Sequence, residues 1–153
     1  MKTYKVIPPE DCSWDAAHLV QNIMFGGEVD WLIPDDLEIV PMGFISRTLM
    51  GGTPAYTTGK IHVNSMYPHL SGETLVHEYV HSLQRKRMGA ISYDATYCWQ
   101  IGISLFKVGP SHIHDNHLME REARRIAQEV IAKCYVKGQP LDIRAAVLQV
   151  TGW

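Results

Sequence analysis

Apolar residues recur at helical spacing in five stretches of this chain and alternate with polar ones in another, and that contrast sets the expected architecture. The clearest run carries Val76, Val80 and Leu83 as one stripe, widened by Leu75 and Tyr79. Ser71 can cap its start, Glu73 sits in the first turn, and Arg85, Lys86 and Arg87 crowd the last. Gly89 then offers a left-handed stop, so the pattern predicts a helix over residues 72–88. Ser13 opens a second helix over 14–24, with Ala17, Val20 and Met24 on one side and Gly26-Gly27 beyond it. A third spans 92–106, capped by Ser92, with Tyr93, Tyr97, Gln100 and Ser104 near helical spacing and Trp99, Ile103 and Phe106 on another face. A fourth runs from about residue 115 or 116 to 137, capped by Asp115 or Asn116. A short fifth helix covers 142–150, packing through Ile143, Ala146, Val147 and Val150 after a Gly138-Gln139-Pro140 turn.

Strand patterns are shorter. Tyr4 to Ile7 ends at Pro8-Pro9, and Leu37 to Val40 follows a Pro34-Asp35-Asp36 turn and stops at Pro41. Beyond Gly51-Gly52 and Pro54, the β-branched content of residues 55–64 and the central Gly59 predict a hairpin or two strand pieces with a tight turn. Ile61 and Val63 fall on one side of it, His62 and Asn64 on the other. Helices of this number with so little strand predict an α+β fold: a small, mostly antiparallel sheet or hairpin packed on helices, one domain over residues 1–153.

Composition narrows the function classes. A formal charge of −2 gives no electrostatic reason to expect nucleic acid or an anionic membrane surface. The basic clusters at 85–87 and 121–125 read as solvated helix faces. No segment reads as a signal peptide or a membrane span, and the expected location is cytoplasmic, or virion-associated for a phage-encoded chain. Cys12, Cys98 and Cys134 are odd in number and far apart, against both a disulfide framework and a Cys-rich zinc site.

The candidate chemistry lies in the 72–88 helix, which contains His77-Glu78-Tyr79-Val80-His81. Positions four apart on a helix are offset by only about 40°, so His77 and His81 project side by side, as two ligands of one tetrahedral zinc must. Glu78, turned by about 100°, flanks the metal and reaches a metal-bound water as general base. The bland alternative is a polar edge on an amphipathic helix. The apolar stripe argues against it, because polar groups on a mostly buried helix need partners. Gln84 returns to the His77 side as a possible supporting donor.

A catalytic zinc needs a third protein ligand. Downstream candidates are His112, His114, Asp115, His117, Glu120 and Glu122. Glu120 shares its helix face with Ala123, Ala127, Ile131 and Cys134, the inward side, whereas Glu122 lines up with Arg125, Glu129 and Lys133 on a charged stripe facing water. That phase selects Glu120 as the ligand. The histidines before it read more simply as a polar loop leading into the helix. Tyr93 and Tyr97 are core aromatics with a hydroxyl at the rim, or donors to a developing oxyanion. His18 and His62 have no spaced partner and read as ordinary histidines.

The pairing of His77-Glu78-Tyr79-Val80-His81-Ser82-Leu83-Gln84 with Glu120-Arg121-Glu122-Ala123 resembles the gluzincin class of zinc metallopeptidases, in particular small bacterial and phage zincins. Ala55 to Ile61 resembles the strand ahead of the motif in that group. The resemblance implies zinc held by His77, His81 and Glu120, Glu78 as base, and a peptide or protein substrate lying along residues 55–64. Related gluzincins often carry an acidic or amide residue four positions after the glutamate ligand, supporting a zinc histidine; here that position is Arg124. The rival expectation is a non-enzymatic module, such as a phage particle component or toxin-like protein, in which zinc pins two helices within a larger assembly.

Overall fold

The computed structural model describes residues 31–32, 34, 37–43, 54–64, 72–108, 117–136, 139 and 141–153. The strand expected at 4–7, the helix at 14–24, the Ser71, Asp115 and Asn116 caps, and His112 and His114 lie outside the described residues.

The central helix, α1, spans Gly72–Met88, with its basic last turn against its own carbonyl end. Gly89 follows at φ 79°, the left-handed conformation that costs a glycine nothing. It reverses the chain so tightly that the next helix, α2 (Ala90–Val108), begins at once, two residues before the position the Ser92 cap suggested. The Tyr93 amide bonds back to the Gly89 carbonyl at 2.9 Å. Across the corner Arg85 grips Asp94 through two 3.1 Å bonds, an exposed pair that orients the helices more than it stabilises them.

Two strands before α1, β3 (Ala55–Thr57) and β4 (Ile61–Val63), pair antiparallel as the predicted hairpin, turning at Gly59 with φ 96°. The earlier β2 (Ile39–Pro41) joins β4 in parallel, Ile39 opposite Ile61 and Pro41 opposite Val63, giving the order β2-β4-β3. Pro41, with no amide hydrogen, sits at the end of a strand at the sheet's edge. Ile61 and Val63 face the core, whereas His62 stacks on Tyr56 with ring centroids 4.5 Å apart. Asn64, expected on the His62 side, is instead fully buried just past the strand, its backbone N–H donating to the Pro54 carbonyl.

α1 lies between this sheet and α3 (Leu118–Cys134). Leu75, Val76, Tyr79 and Val80 meet Ile61 and Val63 in one cluster with Ala123, Ile126, Ala127 and Val130 of α3. The cap of α3 is His117, whose side chain makes no capping bond. The Leu118 amide is met instead by the Gln100 side chain of α2 at 3.0 Å. A two-residue strand, β5 (Leu141–Asp142), pairs in parallel with β1 (Trp31–Leu32) and leads directly into α4 (Ile143–Thr151). Ile143, Ala146 and Val147 of α4 fill the core, as their spacing predicts. The fold is α+β. No helix among the described residues is long and apolar enough to cross a membrane.

Asp142 caps α4 by accepting from the Ala145 amide at 2.9 Å, and Gly152 closes it at φ 71°. Asp142→Ala should therefore lower stability by about 1 kcal/mol. Urea titration should show the midpoint falling with an unchanged slope.

Candidate metal centre

The helical offset brings His77 and His81 together as expected, their rings edge to face at 4.6 Å and their Nε2 atoms 3.0 Å apart. Glu120 enters from α3, Oε2 lying 3.2 Å from His77 Nε2 and Oε1 3.3 Å from His81 Nε2. Zinc–ligand bonds of about 2.0–2.1 Å in a tetrahedron require ligand atoms about 3.3 Å apart. The carboxylate turns one oxygen to each imidazole at about that spacing, and His77, His81 and Glu120 are close enough to hold a metal ion.

Electrostatics prepares the carboxylate. Burial alone would raise the Glu120 pKa, but hydrogen bonds from His77, His81 and Tyr97 overcome it and hold the group well below the usual carboxylate range. Burial likewise works to lower His81, and the hydrogen bond and charge of Glu120 reverse that and raise it. The Tyr97 hydroxyl donates to Glu120 Oε1 at 2.7 Å, and the Tyr93 hydroxyl lies 3.1 Å from His81 Nδ1. Burial and then the Glu120 charge push both phenols above their ordinary value, so both remain protonated. The two tyrosines are thus part of the centre's hydrogen-bond frame; helical spacing put them on one face, but the identity of their partners depended on where α3 packs.

Glu122 is exposed, as its helix phase predicts, but its bonding partner differs from that of its neighbours on the stripe. Arg125 and Lys133 do pair with Glu129 on the outer stripe, at 2.7 and 2.9 Å. Glu122 instead accepts a 2.8 Å bond from Gln84 Nε2 of α1. Gln84 Oε1 faces His81 Nδ1 at 2.9 Å, and its Nε2 also lies 3.4 Å from the Met119 carbonyl. Helix phase fixes its exposure but not this partner, because the end of α1 reaches the flank where Glu122 stands. Arg124 is exposed and lines the cavity beside the centre.

That cavity, of about 830 Å³, is bounded by β3, α1, α2 and α3 and reaches His77, Glu78 and Glu120. Glu78 is buried in its wall, outside the group of three donors. Burial raises its pKa above the ordinary carboxylate value, despite the lowering influence of the histidines and of Thr57. Thr57 of β3 donates to Glu78 Oε2 at 2.7 Å and lies 3.0 Å from the Glu78 carbonyl oxygen. Nothing in the spacing of residues 55–64 distinguished this threonine; its role comes from the register that sets β3 against α1.

Among the described residues, the other histidine candidates, His117 and His62, stand apart from the three donors. His117 is buried against the Tyr97 ring, its Nε2 3.2 Å from the Tyr97 carbonyl. His62 bonds Thr58 at 2.8 Å on the hairpin. No family model, curated protein or solved structure matches this chain.

Proposed function

We propose that the protein is a zinc-dependent peptide hydrolase of gluzincin type, with His77, His81 and Glu120 as ligands and Glu78 as general base. The observation that carries this reading is the placement of Glu78: buried in the cavity wall beside the donors, yet not one of them. A set of two imidazoles and one carboxylate favours zinc among the common divalent ions. When bound, the ion supplies a Lewis acid that acidifies water and polarises a carbonyl. Glu78 accepts the proton from the attacking water and returns it to the leaving amine, and its burial-raised pKa suits both transfers. The Thr57 hydroxyl fixes the carboxylate through Oε2. The outer edge of β3 lines the same cavity, so an extended peptide can add there by backbone pairing. Tyr97 and His81 keep Glu120 ionised and pointed inward.

The rival reading, a metal that only pins α1 to α3, explains the three donors and leaves Glu78 and the open cavity without a role. An unbiased peptide-library digest separates the two. Zinc-loaded protein should cleave a subset of peptides, chelator should stop it, and added zinc should restore it. One bound zinc per chain with no cleavage across the library would establish the structural role instead.

A further inference from the structure

We infer that Gln84 and Glu122 form a positioning relay that fixes the orientation and tautomer of His81; it rests on the reading that a metal ion sits at His77, His81 and Glu120. An ionised carboxylate only accepts hydrogen bonds, so Glu122 Oε2, 2.8 Å from Gln84, requires the NH₂ end of that amide. The Met119 carbonyl, 3.4 Å from the same nitrogen, requires it too. Gln84 must then turn its oxygen to His81, where it stands 2.9 Å from Nδ1. An oxygen facing Nδ1 places a ring hydrogen there, which leaves Nε2, the nitrogen turned toward Glu120 and His77, as the atom His81 would offer a metal ion. Tyr93 cannot make this selection, because its hydroxyl, 3.1 Å from Nδ1, can either donate or accept.

The relay also accounts for position 124. A single carboxylate on α3 four residues after the ligand is not needed where an amide on α1, held by a carboxylate two residues after the ligand, already serves the histidine. Because Glu122 and Glu120 sit on the same helix, the contact that orients His81 also fixes α1 against the helix that carries the third donor.

The test is a double-mutant cycle on the full chain, reading zinc affinity by chelator competition. Gln84→Leu should weaken zinc by about 10-fold, the low end for such partners because Tyr93 remains beside Nδ1. Glu122→Gln, at an exposed position, should weaken it several-fold by letting the Gln84 amide flip. In the Gln84→Leu background Glu122→Gln should do nothing further, since Glu122 acts only through Gln84. The exchanged pair, Gln84→Glu with Glu122→Gln, keeps an acceptor facing His81 Nδ1 and a donor–acceptor contact between positions 84 and 122, and gives up only the long contact to the Met119 carbonyl, so it should bind zinc at least several-fold more tightly than Gln84→Glu alone, which sets two carboxylates face to face. Undiminished affinity in Glu122→Gln, an equal loss in both backgrounds, or an exchanged pair no better than Gln84→Glu would overturn the relay. Wild-type protein that binds no zinc would overturn the metal reading itself, a distinct result.

Discussion

Glu78→Gln protein should retain its zinc with wild-type affinity and lose about 10²- to 10⁴-fold in kcat/KM for peptide cleavage. The first half follows from geometry. The three donors that face one another are His77, His81 and Glu120, and none of their mutual contacts runs through Glu78. The second half follows from chemistry. Glutamine has nearly the same shape and can still accept the Thr57 hydroxyl through its amide oxygen, so the cavity wall stays as it is. What disappears is the ability to take a proton from water and give it to an amine. That loss corresponds to about 3–5 kcal/mol in the barrier. Metal content and turnover must be measured on the same preparation. Full zinc occupancy with undiminished hydrolysis would remove Glu78 from the chemistry, and loss of zinc would make it a ligand or a support for one.

The parts of the centre that could be read from the sequence are those in which one helix decides the geometry. The offset of His77 and His81 depends only on residues 72–88 being helical, and Glu73, the basic triplet and Gly89 encode both ends of that helix locally. The choice of Glu120 over Glu122 needed only the phase of α3 against its apolar face. Where two elements had to meet, the pattern was silent. Glu122 is exposed, as its phase predicts, but its partner Gln84 belongs to another helix and could not be read from α3 alone. Thr57 carries no signal, since its link to Glu78 exists only through strand register. The pairing of β1 with β5 was invisible for a different reason: two residues are too few to show any period.

Glu120→Ala should reduce zinc affinity by about 10³-fold. A site of nanomolar affinity represents about 12 kcal/mol, and an equal share for each of three ligands is about 4 kcal/mol. The change also removes the acceptor of the Tyr97 hydroxyl and the anion beside two imidazoles, so the metal-free protein will itself differ in stability. Absolute stability therefore cannot report on the role of Glu120; the increment produced by zinc can. At zinc 1,000 times the wild-type dissociation constant, binding should stabilise wild type by about 4 kcal/mol. The same zinc only equals the dissociation constant of the variant, and the increment should shrink to about 0.4 kcal/mol. Urea titrations of both proteins with and without zinc give the two increments directly. Equal increments would mean that the carboxylate merely fills the space between the histidines and that the third donor lies elsewhere.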